Sequence, residues 1–344
     1  MRTADEVFKA VFSCMPSDER EKLYALIRNS LYPNSDVPLE TIIQELRDAR
    51  FAEGITCPHC KSPNNKRNGK VRGRQRYHCK DCCKSFGATS MSLLTGTRYP
   101  EKWLQYLEYM VQGMPLRKIA EQLNIHVSTA FFWRHKILIS LLREPMDTLK
   151  GIVEADELYI LESHKGKNQV QKLGTRKARK RGGVSKFRGI SREQVCILFA
   201  ADRKSGLVAQ MAGYGRVNSM DIEGIIGDYL KDATCFCTDA GKSFLTYAKE
   251  KGIEHHILNA NKGERIKGIY HIQHINAYHS RFRKWISKFQ GVATKYINHY
   301  LEWFRYIELH KRLSTRNKKQ DMLIRAFLHS VHVVTNSLKP CYAT

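Results

Sequence analysis

The 344-residue sequence predicts a multidomain α/β protein: a mixed sheet with flanking helices, preceded by a four-cysteine zinc ribbon and a helix-turn-helix. Three observations carry this. Two Cys-x-x-Cys pairs stand 18 residues apart in the N-terminal third. A helical apolar pattern with a short internal break follows between residues 115 and 142. From residue 150 the texture changes to strand-like runs that later alternate with helices, the pattern of a sheet covered by helices.

The totals bound the rest. Lys+Arg number 58 against 33 Asp+Glu, a formal net charge of +25 and a pI near 9.7. That excess suits a polyanion, and since no long amphipathic basic helix stands out, nucleic acid leads over an acidic lipid surface. A hydrophobic content of 42% excludes wholesale disorder. No apolar run approaches the ~20 residues that span a bilayer. The opening "MRTADEVFKAVF" lacks the charged-then-apolar pattern of a signal peptide, so a cytoplasmic, nucleoid-associated protein is expected. Five of the ten cysteines fall between positions 57 and 83, a clustering that in a reducing compartment indicates metal rather than disulfides.

Residues 1–50 read as a helical region, with Val7, Phe8, Val11 and Phe12 in one stripe and a break between Pro33 and Pro38. Residues 51–95 follow as the zinc ribbon. Cys57 with Cys60, and Cys79 with Cys82, can each place two thiolates on a tight turn, and the two turns complete a tetrahedral four-sulfur site for structural Zn2+. Lys66, Arg67, Lys70, Arg72, Arg74 and Arg76 between them add positive charge, and Cys83 is read as a bystander. In residues 96–145, Leu116, Ile119, Ala120 and Leu123, a break at Asn124-Ile125, and a helix from near Ser128 give helix-turn-helix spacing. The second helix of that motif enters the major groove, which makes Ser128, Thr129, Phe132, Trp133 and Arg134 candidates for reading bases. Three-helix cores without a DNA role share the pattern.

The catalytic region is placed at 150–310, ahead of a helical tail at 311–344. Strands are expected at 151–160, near 194–203, near 207–214, at 233–239 and at 254–259, with helices at 221–230, 243–251, 273–289 and 293–311. The insertion 164–192 holds eleven Lys or Arg and no acid. It reads as a solvated loop that can also clamp a phosphate backbone, with Lys177, Arg179, Lys180 and Arg181 as its densest run. The first strand, "GIVEADELYI", is unusual in a chain this basic because it carries Glu154, Asp156 and Glu157. Carboxylates in a strand are costly unless solvated, paired or metal-bound. If the strand ending at Asp239 lies beside this one, Asp156 and Asp239 meet. Paired carboxylates of that kind suit Mg2+, and two such ions can drive phosphodiester displacement. Glu154 and Glu157 are read as supporting or surface groups, and the aromatic stripe Tyr296, Tyr300, Trp303 and Phe304 as core.

The four-cysteine ribbon, the helix-turn-helix and the strand–helix series with "EADELY" and "TDAGKSF" resemble the zinc-ribbon DDE transposases of bacterial insertion sequences, in particular the insertion sequence 1595 family. The resemblance covers roughly residues 50–310. It implies a ribonuclease-H-like catalytic domain, dependence on Mg2+, as two ions in the sense of the paired site above, and cutting and joining of double-stranded DNA at the element's terminal inverted repeats. It also implies a third ligand on a late helix with Lys or Arg seven residues on. "HINAYHSRFRKW" has no Glu there. Asn276 fits, with Arg283 seven residues later, and the Asp156–Asp239–Asn276 set resembles a variant within the family; His279, one turn on, competes for the role. Arg283 and Lys284 join the expected DNA contacts. Two DNA ends must be handled together, so a homo-oligomer is expected in the DNA complex. A DNA-binding regulator that has lost catalysis, and a nuclease of the same fold, are the alternatives.

Overall fold

The computed structural model describes residue 51 and residues 54–328, apart from 72, 93–94, 96, 98, 143–145, 167–182, 205 and 260–261. The helical region expected at 1–50, the basic run Lys177, Arg179, Lys180 and Arg181, and residues 329–344 of the tail lie outside the described residues. The chain divides into two compact units, Met1–Leu104 and Gln105–Thr344.

In the first unit, β1 (Asn65–Val71), β2 (Arg74–Cys79) and β3 (Ser85–Gly87) form an antiparallel sheet in that order. The apolar core is small. Tyr77 stacks on Phe86 with ring centroids 5.6 Å apart, and Phe51, Ile55 and three of the cysteines complete it. So few apolar groups rarely sustain a fold unaided, and small domains of this kind lean on disulfides or metals. Lys66, Arg67, Lys70, Arg74 and Arg76 are exposed along β1 and β2.

The second unit begins with α1, which spans Trp103–Val111 across the boundary, followed by α2 (Leu116–Gln122) and α3 (Val127–Leu142). The break between α2 and α3 is made by Asn124, whose φ of 47° is left-handed, a conformation that Asn tolerates better than most residues. The spacing is therefore that of the expected helix-turn-helix, but α3 is not a free helix. Ala130, Trp133, Arg134, His135, Ile137, Leu138, Ser140 and Leu141 are all buried, more of the circumference than a single stripe occupies. Arg134 is 1% exposed. It donates to the Met114 carbonyl at 2.7 Å and the Tyr300 hydroxyl at 3.4 Å, and lies 5.3 and 5.1 Å from the ring centroids of Phe289 and Trp303. Trp133 packs edge-on against Tyr106 at 5.3 Å. The expectation that Trp133 and Arg134 reach base edges is corrected: both anchor α3 to the rest of the unit. The first turn of α3 stays at the surface, with Ser128 exposed and Thr129 half-buried, and Phe132 is half-buried as well.

The remainder is one five-stranded sheet with helices on both faces. β4 (Gly151–Leu161), β5 (Gln194–Asp202), β6 (Leu207–Tyr214), β7 (Ala233–Asp239) and β8 (His255–Leu258) are ordered β6-β5-β4-β7-β8. β4, β5 and β6 are antiparallel neighbours, whereas β7 and β8 run parallel to β4. This is the mixed sheet of a ribonuclease-H-like fold, with β7 beside β4 as expected. Val153 and Ala155 face a core shared with α4 (Ser219–Ile226) and α5 (Lys242–Lys251). On the other face lie α6 (Gln273–Ser287) and α7 (Ile297–Leu309), α6 against β4 and β5, α7 against β6 and α3. Tyr300, Trp303 and Phe304 are buried there, as core. A last helix, α8 (Thr315–Leu328), packs on α3. Among the described residues no helix is long and apolar enough to cross a membrane.

Arg134→Ala should destabilise the second unit by about 2–4 kcal/mol in denaturant unfolding, since a filled buried site and its hydrogen bonds are lost together. Protein that remains folded should still distinguish terminal from random DNA; loss of that discrimination without loss of stability would restore Arg134 as a base-reading residue.

Candidate metal centres

Formal pairing of β4 with β7 stops at Glu154–Cys237. Two residues further along each strand stand Asp156 and Asp239, the last residue of β7. This is the carboxyl end of the parallel strands, the position where open α/β sheets bind ligands. Ligand oxygens of Asp156, Glu157 and Asp239 all lie within 4.8 Å of one another there. Glu157 is not among the ligands expected from the sequence. Strand alternation puts it on the opposite face from Asp156, yet beyond the end of β7 its carboxylate still comes within ligand distance of Asp156 and Asp239. The only signal in the sequence is the third acid of "EADELY".

The electrostatics follow from burial. Removal from water pushes the Asp156 carboxyl up to about 7, and the charge of Asp239 adds to this. The same two causes raise Glu157 to about 7, although Arg216 opposes them. Asp239 is fixed by its own turn: its Oδ1 accepts from the Gly241 backbone N–H at 2.8 Å. A Cβ at Gly241 would lie 2.9 Å from that same oxygen, so "TDAG" needs glycine here for space rather than for dihedral freedom. An all-oxygen set of three acids, two of which hold protons near neutrality, is suited to a hard divalent cation that displaces those protons.

Helix α6 packs on β4 and β5 beside these acids. His279 is buried, with Nδ1 3.7 Å from Asp156 Oδ2 and its ring edge-on to Phe199, the cross-strand partner of Asp156. Burial, with Arg283 nearby, lowers the His279 imidazole to about 4, so it is neutral at pH 7 and retains a lone pair for a metal. Asn276, one turn earlier, is exposed. Arg283 reaches the Tyr159 carbonyl at 3.5 Å, and Lys284 is exposed. Glu302 on α7 is buried and paired with Arg305 at 2.8 Å.

The four ribbon cysteines also converge. Cys57 and Cys82 place their sulfurs 3.6 Å apart, as do Cys60 and Cys79, and all four ligand atoms lie within 4.8 Å. Sulfurs bound at ~2.3 Å to one tetrahedral Zn2+ stand about 3.8 Å apart, so the cluster fits that ion. The two knuckles repeat one conformation: Lys61 and Cys83, each following a Cys-x-x-Cys, have φ of 65° and 55°. Asp81 ties them together by accepting from Ser62 and Asn64. Backbone N–H groups of Cys82 and Asp81 lower the Cys79 thiol to about 7, favouring the thiolate that binds zinc. Cys83 is exposed and outside the cluster.

Both centres fall within segments that match known protein families. Residues 148–308 match the ISXO2-like transposase domain and residues 40–85 the transposase zinc-ribbon domain. Asp156, Glu157, Asp239, Asn276 and His279 fall within the first, and the four clustered cysteines within the second. An uncharacterized protein in transposable element ISH50 of Halobacterium salinarum is 25% identical over 282 residues, which cover 78% of this chain and 92% of that protein. A chain in the crystal structure of a pre-cleavage Mos1 transpososome aligns over 91% of this chain and 98% of its own length at 13% identity, with a TM-score of 0.21.

Two outcomes are expected. Asp156 and Glu157 titrate well above the ~4 of an unfolded chain, so between about pH 4 and 7 the metal-free folded state holds more protons and its stability falls as pH rises. Mn2+ should bind with proton release near neutrality and raise the melting temperature more at about pH 8 than at about pH 5.5, and equal gains at both would contradict the linkage. Metal analysis should find about one Zn2+ per chain, lost in Cys60→Ser together with protection of residues 55–90 from proteolysis.

Proposed function

This chain belongs to the insertion sequence 1595 family of DNA transposases, and we propose that Asp156, Glu157 and Asp239 hold Mg2+ for cutting and joining of DNA strands. The observation that supports this reading is the convergence of three acid side chains within 4.8 Å in a chain of net charge +25. A surface reading of those acids does not explain why burial is tolerated at two of them. The substrates are the element's terminal inverted repeats and a target duplex. When bound, the divalent ions supply the Lewis acidity that activates a water or 3′-hydroxyl and stabilises the leaving oxygen.

The chain's own residues orient that chemistry. The Gly241 N–H aims the Asp239 carboxylate. Of the two candidates on α6, the contact distance and neutral imidazole favour His279 as the further ligand, and Asn276 stands exposed where it can reach the DNA. Arg283 and Lys284 supply positive charge along the same helix, and so does the run from Lys177 to Arg181 in the insertion. Ser128 and Thr129, with the exposed basic residues of β1 and β2, are the surfaces left to recognise the terminal repeats. A homo-oligomer that pairs two ends, working at the nucleoid, completes the reading.

Purified protein incubated with labelled terminal DNA, target plasmid and Mg2+ should give joined products; cuts alone would indicate a nuclease, and binding alone a regulator. Asp156→Asn, Asp239→Asn and Glu157→Gln should each slow cleavage by about a thousandfold, about 4 kcal/mol of barrier, with terminal DNA still bound. His279→Ala should match them and Asn276→Ala should not; the reverse order would make Asn276 the ligand.

A further inference from the structure

Glu154 is the most buried acid in the protein's described residues, 1% exposed, and the chemistry above does not use it. Its two oxygens are divided between two tasks. Oε2 accepts from the backbone N–H of His274 at 3.0 Å and of Ile275 at 3.4 Å, both in the first turn of α6. Oε1 bonds His274 Nδ1 at 2.6 Å, pairs with Arg203 at 3.4 Å and lies 3.3 Å from His271 Nδ1. α6 has no side-chain cap from its own N-cap residue, Ile272. A carboxylate from the sheet therefore does the capping, and the positive end of the helix favours it. Arg203 and His271 bring it further positive or donor character, the former from the end of β5 and the latter from β10 (Tyr270–His271), which pairs with β9 (Ile266–Lys267) in the hairpin before α6.

The spacing gives this clamp its meaning. Glu154 and Asp156 are alternate residues of β4 and share the face that α6 covers. Two strand residues advance about 6.7 Å. From Ile275 to His279 is four helical residues, about 6 Å. Strand and helix thus run side by side with matched steps over this stretch, Glu154 against His274 and Ile275 and Asp156 against His279, and beyond it the long Arg283 side chain reaches the Tyr159 carbonyl.

We infer that Glu154 is a positioning residue: by gripping the first turn of α6 it sets the register in which His279 is presented to Asp156, and so sets the affinity of the catalytic site for its divalent ion. This rests on the metal site proposed above. His271 and His274 with Glu154 also have a metal-ligating composition. Yet the 2.6 Å contact is a made hydrogen bond and Arg203 adds a cation, so the cluster is filled by its own donors.

The test is Glu154→Gln in the full chain. It keeps the shape, but whichever oxygen becomes NH2 then faces donors. Calorimetric titration with Mn2+ should show the dissociation constant rising about 10- to 100-fold, the scale of lost support behind a metal ligand. Cleavage at low Mn2+ should fall by the same factor and recover at high Mn2+, with terminal-DNA affinity unchanged. A lower melting temperature with unaltered Mn2+ affinity would reduce Glu154 to a structural role and overturn the inference. If Glu154→Gln does not fold, His274→Ala, which keeps both backbone N–H groups on the clamp, should still raise the Mn2+ dissociation constant severalfold, and no change there overturns it too. Wild-type protein that binds no Mn2+ at the carboxylates would instead refute the underlying metal site. A second zinc per chain that disappears in Glu154→Gln would show a metal cluster in place of a clamp.

Discussion

Mutual repulsion among Asp156, Glu157 and Asp239 is the constraint on which the catalytic unit depends. Burial raises the Asp156 and Glu157 carboxyls first, and the charge of Asp239 adds to that: two full charges about 5 Å apart near a protein surface oppose each other by about 3 kcal/mol. The fold tolerates the arrangement because it lies where β4 and β7 have ceased to pair, with Asp156 and Glu157 half-buried, rather than in the middle of the sheet. The same repulsion would drive off a phosphate backbone, so the +25 of the chain and the cations it sets nearby, Arg216 and Arg283 among the described residues, belong to the same design.

Holding such a site in order falls to the elements around it. Gly241 lets its backbone approach the Asp239 carboxylate. Phe199 seats the His279 ring. Glu154 grips the start of α6. Each is a contact that orients a side chain which a metal would otherwise have to organise itself, at a cost in affinity.

The helix-turn-helix is bound into this unit rather than standing apart from it. Arg134 lies in a box of Phe289, Trp303 and Tyr300, and His135 bonds His299 at 2.8 Å. Burial lowers both imidazoles, His135 to about 2 and His299 to about 4, so the pair is neutral and can share one hydrogen bond without opposed charges. A DNA end recognised by the first turn of α3 would therefore be held by the same compact unit that carries the carboxylates.

Much of this was legible in the sequence because it is local. Cys57, Cys60, Cys79 and Cys82 announce their chemistry by spacing alone, since each knuckle needs only a handful of residues to form. The strand around Asp156, the strand ending at Asp239 and the turn at Asn124 follow from period, β-propensity and the tolerance of Asn for a left-handed φ. What only the tertiary structure decided concerns which face a side chain shows and what it meets. Arg134 reads as a DNA contact because an arginine in a recognition helix is costly to bury, and nothing within α3 reveals that two aromatic rings, a tyrosine hydroxyl and a carbonyl from other segments will receive it. Glu157 reads as a supporting or surface acid because alternation turns it away from Asp156, and only the packed fold brings its carboxylate beside Asp156 and Asp239. Glu154 reads the same way because its partners, at the end of β5 and the start of α6, are far along the chain. Charge and periodicity travel with the chain, whereas burial and partnership are properties of the packed whole.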